Sequence, residues 1–226
     1  LNDSRVFPAR LVGRKETGGL IEILLLRRSP GGAPEETWEV LLRPAKRVRI
    51  GMPIVFEEGC RARVIRRLSE KQWIIEFRME VPFDDFFSRF GRAPLPPYIR
   101  RSRTRPRSEQ DLARYQTVYA RVNGSVAAPT AGLHFTEEMF GRLRSRSVRI
   151  APVTLHVGYG TFLPIEAENV EEHVMEEEYF TLGEETARMV NSARRVVAVG
   201  TTSTRVLESV ADWEGKIRAA SGSTRL

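Results

Sequence analysis

Six short runs rich in Val, Ile, Leu, Phe and Trp fill residues 5–82: RVFPARLVGR, LIEILLLRR, TWEVLLRP, PIVFEEG, CRARVIRRL and QWIIEFRM. Turn-forming stretches (GRKETGG, SPGGAPEE, KRVRIGM and LSEK) separate them. Such residues suit a pleated, half-buried surface, whereas Gly, Pro and Ser break it. Alternation is clearest from Cys60 to Val64, where Cys60, Ala62 and Val64 face one way and the arginines the other. Five or six strands at this spacing, with no helical periodicity between them, predict a small antiparallel barrel.

The pattern changes after a short DDFFSRF segment. LPPYIRR cannot be regular helix, because adjacent prolines hold themselves and the preceding residue in extended geometry. Beyond it, helical and strand-like segments alternate. SEQDLARYQTVYARV opens with a Ser-x-x-Asp cap and spaces Leu112, Tyr115, Val118 and Tyr119 on one helix face. TEEMFGRLRSR, EETARMVNSARR and TTSTRVLESVADW read as further helices, and VRIAPVTLHVG and VVAVG as strands, the latter buried. The expected fold is therefore α/β: a mixed, largely parallel sheet domain at 93–226, with a small antiparallel β-barrel domain at 1–92.

No apolar run is long enough to cross a bilayer, since Leu20–Leu26 is interrupted by Glu22. A single cysteine, Cys60, cannot form an internal disulfide, which fits a reducing, cytoplasmic setting. Lys and Arg number 36 against 29 Asp and Glu, and the excess is mostly Arg. Arg grips phosphate bidentately, although a GC-rich genome also encodes Arg everywhere. Arg100, Arg101, Arg103, Arg105 and Arg107 crowd one eight-residue stretch, RRSRTRPR, which reads as a nucleic-acid contact or as a solvated loop.

Three polar turns carry the candidate chemistry. The first, within YQTVYARVNGSVAAPTAGLHFT, ends at His134; the second, HVGYGTF, opens at His156; the third, EEHVMEEEY, holds His173. An imidazole titrates near neutrality and serves acid–base chemistry, yet a lone His is usually structural. No His-x-x-x-His or Cys pair is present, so no metal is expected. In VAVGTTSTR a strand gives way at Gly200 to a helix, whose first N–H groups at Thr201, Thr202 and Ser203 could meet a carboxylate or phosphate. Ordinary capping by Thr or Ser explains the same pattern. Gly158 and Gly160 do not make a dinucleotide fingerprint, because Leu163 stands where a third glycine belongs.

In order, APTAGLHFT, LHVGYGTFLP, HVMEEEY and VAVGTTSTR resemble the motifs of the S-adenosylmethionine:tRNA ribosyltransferase-isomerase family of queuosine biosynthesis. NDSRVFPARLVGR, PLPPYIRR and RYQTVYA fit as well, so the resemblance covers nearly the whole chain. It implies an α/β domain carrying an inserted barrel. The implied reaction moves the ribosyl part of S-adenosylmethionine onto the aminomethyl group of a 7-deazaguanine at the tRNA wobble position. Epoxyqueuosine forms, and adenine and methionine leave. Members of the family extend further at both ends and carry an Asn-Phe-His-Leu-Pro segment beyond the region matched here. With Leu1 at its start and Leu226 closing a loop-like SGSTRL, the chain is expected to be a middle piece of such a protein. Many relatives also have a histidine where this chain has Glu176.

The resemblance implies a base for the C5′ proton, an acid for departing adenine and a polar cradle for the methionine end. His134 and His156 are the leading acid–base candidates, followed by Glu178 and His173. Thr130, Gly132, Phe135, Gly158, Gly160, Thr161 and Gly200 join Thr201, Thr202 and Ser203 as candidates around S-adenosylmethionine. Tyr115 and Tyr119 either stack on a base or belong to the core. Lys46, Arg47 and Arg49 join the Arg100–Arg107 run as candidate tRNA contacts, in a protein expected to be a monomer. Asp3 and Arg5 could form a local ion pair at the hinge. Two other readings remain: an RNA-binding module without catalysis, and a methyltransferase, for which no glycine-rich loop follows an early strand.

Overall fold

The computed structural model describes residues 1–29, 36–96, 99, 109–162, 168–172 and 175–226, and divides into two compact units. One comprises Pro8–Pro94 and Tyr98–Leu112; the other comprises Leu1–Phe7, Leu95–Pro97 and Ala113–Leu226.

The first unit is a closed antiparallel barrel. Its strands are β2 (Arg10–Lys15), β3 (Leu20–Arg28), β4 (Glu36–Arg43), β5 (Pro53–Val55), β6 (Arg61–Arg67) and β7 (Gln72–Arg78), in the order β2-β3-β4-β7-β6-β5. Pairing of Arg14 with Val55 closes the ring, so none of its strands is left as an open edge. The expected alternation holds on β6: Cys60, Ala62 and Val64 are buried, while Arg61 and Arg63 are exposed. Burial also pushes the Cys60 thiol up to about 12. The DDFFSRF segment becomes helix α1 (Phe83–Phe90), which aims its phenylalanines into this core. Phe86 meets Phe56 edge-on at 5.9 Å, and Phe77 meets Phe83 and Phe87 at 5.6 and 5.9 Å. Edge-to-face packing is the favoured aromatic geometry and adds to the gain from burial.

The second unit is the α/β part. Strand β1 (Ser4–Val6) runs parallel to β8 (Val122–Ser125), and β9 (Thr154–Leu155), β10 (Glu178–Leu182) and β11 (Ala220–Thr224) form an antiparallel sheet in the order β11-β10-β9. Helix α2 (Glu109–Arg114) precedes β8 in the chain; α3 (Glu137–Ser145), α4 (Glu184–Asn191) and α5 (Thr201–Val210) follow. The core gathers Ala127, Val153, Leu155, Val157, Phe180 and Leu182 from strands and loops, with Ala187 and Val206 from α4 and α5.

Three local expectations give way here. Residues 1–7 group with the α/β unit, because β1 pairs with β8. The helix expected through Val122 ends at Arg114, since Gln116 brackets the Val6 backbone, accepting from its N–H at 3.0 Å and donating to its carbonyl at 2.6 Å. That bracket and the β1–β8 ladder draw the chain out of helical geometry. VVAVG forms no strand: Val197 is 70% exposed, and no neighbour among the described residues offers the backbone groups a strand needs.

Phe77 is 1% exposed at the centre of the aromatic cluster. Phe77→Ala should lower barrel stability by about 3–5 kcal/mol, read as a reduced urea midpoint.

Candidate active site

Asn2, Asp3 and Ser4 are buried polar residues, and every one is bonded. Asn2 acts as an extra strand partner for Leu155, accepting from its N–H and donating to its carbonyl, each at 3.0 Å. Asp3 accepts from Thr154 Oγ1 at 2.7 Å and from Arg121 Nη2 at 2.9 Å. Ser125 Oγ donates to Ser4 Oγ and accepts from Val157 N–H, both at 2.9 Å. Burial without such partners costs a polar group several kcal/mol, so this knot fixes both backbone stretches that lead into the second turn. The expected Asp3–Arg5 pair is replaced by Asp3–Arg121. Arg121 and Val122 already donate their backbone N–H groups to the Asp3 carbonyl, which brings the Arg121 side chain alongside.

His156 follows β9 directly and lies against Gly124, where an added β-carbon would come within 2.7 Å of the ring. The ring is half-buried, and its Nδ1 has no hydrogen-bond partner among the described residues. Burial holds the imidazole below its ordinary range, and the Asp3 carboxylate pulls the other way. His156 is therefore neutral near pH 7 and able to accept a proton.

Beyond it the backbone turns onto two carboxylates. Gly158 N–H donates to Glu178 Oε1 at 2.8 Å, and Gly160 N–H to Glu176 Oε2 at 3.1 Å. Glu178 is 6% exposed and also receives the guanidinium of Arg205 from α5. Burial pushes the Glu178 carboxyl upward against the pull of Gly158 N–H and Arg205. The second turn, the start of β10 and α5 are thus joined through one partly buried ion pair. Glu176, standing where many relatives are expected to have histidine, is an exposed acceptor for the turn rather than an acid–base imidazole.

The first turn, Thr130–His134, is a single 3-10 coil with Gly132 buried. Gly132 is required there: a β-carbon would collide with the Tyr119 hydroxyl and approach Thr117 Cγ2 to 2.8 Å. Tyr119 in turn stands edge-on to Phe135 and Phe140, at 6.5 and 5.5 Å. Tyr115 is buried in the core, 6% exposed. His134 is exposed, its Nδ1 3.3 Å from the Ala131 carbonyl. Ala131 lies against Gly200, whose φ of +81° a residue with a β-carbon rarely adopts. Gly200 caps α5 with no side-chain hydrogen bond, so the expected Thr or Ser cap is absent. Ser203 and Thr204 instead bond back to the carbonyls of Val199 and Gly200, at 2.9 and 3.3 Å, leaving the first-turn N–H groups without a side-chain cap.

Gly200, then Thr201, Thr204, Arg205 and Glu208 of α5, with Leu226, line an open cleft of about 680 Å³. The beginning of α5 therefore meets the His134 turn through Ala131 and the His156 turn through Arg205 and Glu178. Thr130 and Thr161 are exposed, Phe135 and Thr202 partly so. Lys46, Arg47 and Arg49 are exposed on the loop between β4 and β5 of the barrel unit. His173, Arg100, Arg101, Arg103, Arg105 and Arg107 lie outside the described residues. Sequence alone gives Arg205 no role, although it closes the TTSTR run; a lone cation on a hydroxyl-rich helix, with a Glu-rich segment nearby in sequence, is its signal. Among the described residues, no group of three His, Cys, Asp or Glu is placed to hold a metal ion, and no helix is long and apolar enough to cross a membrane.

An antiparallel barrel and an α/β unit with polar turns gathered at a helix N-terminus define a two-unit α/β protein with a candidate small-molecule site. The chain belongs to the queuosine biosynthesis protein family, whose model matches residues 1–226. A protein of Syntrophus aciditrophicus named S-adenosylmethionine:tRNA ribosyltransferase-isomerase is 54% identical over all of this chain and 67% of its own length. Proteins of the same name from Geotalea uraniireducens and Syntrophotalea carbinolica are 46% and 47% identical, with 64% and 65% of their lengths covered. The chain spans about two thirds of the length of these relatives. A crystal structure of S-adenosylmethionine tRNA ribosyltransferase from Thermotoga maritima is 29% identical over all of this chain and 59% of that one, with a TM-score of 0.33.

The lowered imidazole of His156 makes stability depend on pH. The unfolded chain takes up this proton near pH 6.5, where the folded protein still resists it, so stability is lost as pH falls below that value. The urea midpoint should drop as pH falls through about 6.5, and His156→Gln should flatten the drop. Gly132→Ala should lower the melting temperature and displace Tyr119, seen as a change in near-ultraviolet circular dichroism.

Proposed function

We propose that this chain carries the S-adenosylmethionine-binding and catalytic turns of a tRNA ribosyltransferase-isomerase. In the reaction, the aminomethyl nitrogen of a 7-aminomethyl-7-deazaguanine base in tRNA bonds to the ribosyl moiety of S-adenosylmethionine. Adenine and methionine leave, and the ribose isomerises to give epoxyqueuosine. The observation that carries this reading is the meeting of the first two turns at α5, through Ala131–Gly200 and Gly158–Glu178–Arg205. The names of the relatives support it.

On this reading, the uncapped N–H groups at Thr201, Thr202 and Ser203 receive the methionine carboxylate, where the helix dipole favours negative charge. Gly158, Gly160 and Thr161 bring backbone close to the ligand, as does Thr130 on the first turn, which Gly132 lets pack against Tyr119. The neutral, half-buried imidazole of His156 removes the C5′ proton. His134 supplies the proton to adenine, while Glu178, paired as a carboxylate with Arg205, holds Gly158 and α5 in place. Phe135 offers an aromatic face to a base, and Tyr119 orients it edge-on. Lys46, Arg47, Arg49 and the Arg100–Arg107 run contact tRNA phosphates. The enzyme works in the cytoplasm, as a monomer and without a metal.

Purified protein given S-adenosylmethionine should release adenine only when tRNA bearing the 7-aminomethyl base is added, with epoxyqueuosine detected by mass spectrometry of the digested tRNA. Release of S-adenosylhomocysteine would point to methyl transfer; tRNA binding with no small-molecule product would point to a binding module. Either result refutes the proposal. His156→Ala and His134→Ala should each cut turnover by roughly 10²–10⁴-fold while tRNA affinity changes little. Unchanged turnover removes that residue from the chemistry.

A further inference from the structure

The arginines of the barrel fall into two electrostatic classes. On β3, Arg27 and Arg28 are neutralised by β4 carboxylates: Arg27 bonds Glu39 at 2.7 Å, and Arg28 bonds Glu36. On β6 and the loop before β5, Lys46, Arg47, Arg49, Arg61, Arg63 and Arg66 are all exposed, and none has a carboxylate partner among the described residues. Two of the nearby carboxylates are engaged elsewhere. Glu76, opposite Arg63, bonds Arg78 at 3.2 Å, and Glu58, in the turn before β6, bonds Arg89.

Register places these cations on one outward face. Arg14 pairs with Val55, Val55 with Arg61, and Arg61 with Arg78, forming a row across four strands. A bulge between Val64 and Arg66 leaves Ile65, Arg66 and Arg67 all exposed. The preceding loop is laced to the same strand, with Gly51 N–H donating to the Val64 carbonyl at 2.7 Å and Val64 N–H to Met52 at 3.0 Å. Its arginines thus lie alongside the bulge. Arg67 stacks over Trp73 at 5.3 Å, which fixes that edge. Ile50, Val55 and Ile65, 66%, 41% and 39% exposed, sit among the charges.

We infer that this β5–β6 face, with the Lys46–Ile50 loop, is the track along which the barrel holds the phosphate backbone of RNA. The inference rests on the reading of the chain as a tRNA-modifying enzyme and assigns that substrate a surface. Unpaired like charges repel one another, and a polyanion relieves the repulsion while releasing its counterions. Alternate residues on a strand stand about 7 Å apart, so Arg61 and Arg63 can each take a separate phosphate of an extended strand. The apolar side chains between them suit ribose and base edges. A protein partner would have to supply a matching acid for each of six cations, whereas an RNA backbone presents an anion at every nucleotide.

The test is binding of a fluorescein-labelled tRNA transcript to the whole protein, followed by anisotropy across a salt series. Arg61→Ala/Arg63→Ala/Arg66→Ala should weaken binding at least tenfold near physiological salt. It should also lower the slope of log affinity against log salt by about two to three, at roughly 0.7–0.9 per phosphate contact. Arg27→Ala/Arg28→Ala, on the neutralised face, should change neither. Should the triple variant fail to fold, the three single substitutions each lower the slope by about one. A folded triple variant with the original affinity and slope overturns the inference, and so does loss of self-association in place of tRNA binding. Adenine release on the same samples separates the two proposals. Unchanged tRNA binding and turnover in the triple variant sink the surface alone, whereas arginine-dependent binding without adenine release supports the surface and counts against the enzyme.

Discussion

The Asn2-Asp3-Ser4 knot is the constraint on which the α/β unit depends. Three adjacent polar side chains are buried, and their bonds run to residues more than a hundred positions away: Asn2 to Leu155, Asp3 to Arg121 and Thr154, Ser4 to Ser125. Each bond closes a long loop, so its entropic cost falls due at once and is recovered only when all form together. Such a network is satisfied as a whole or becomes a liability. Its satisfaction carries β1 onto β8, sets the backbone of Val157 through Ser125, and so determines where His156 and Gly158 leave the sheet.

From that point the chemistry of the site is one of shared anchors. Glu178 answers the second turn with one oxygen and α5 with the other, through Gly158 and Arg205. Glu178 is the buried partner, and removing Arg205 would leave its carboxylate without a counter-charge where little water reaches it. Gly200 and Ala131 make the corresponding contact on the first turn without any charge at all. One helix is thereby held electrostatically on one side and sterically on the other.

How much of this was legible in the sequence varied with the range of the interaction responsible. The barrel was readable because its signals are local: Cys60, Ala62 and Val64 alternate with arginine, and turn residues punctuate the strands. Phe83–Phe90 was read only as a short segment, although its phenylalanines plug that barrel. In the α/β unit, composition misled where pairing decided. VVAVG has strand residues but no described strand beside it, and residues 115–122 have helical spacing but obey Gln116 and β8. Among the site residues, the glycines and hydroxyls were visible as unusual turn chemistry. Arg205 and Arg121 were not, because an arginine shows its purpose only when its carboxylate is in place.

Cys60, the only cysteine in the chain, faces the barrel interior with its thiol held far above the pH at which a thiolate reacts. Alkylating reagents therefore meet it only in molecules whose barrel has opened. Its modification rate is a built-in clock for the opening of that unit.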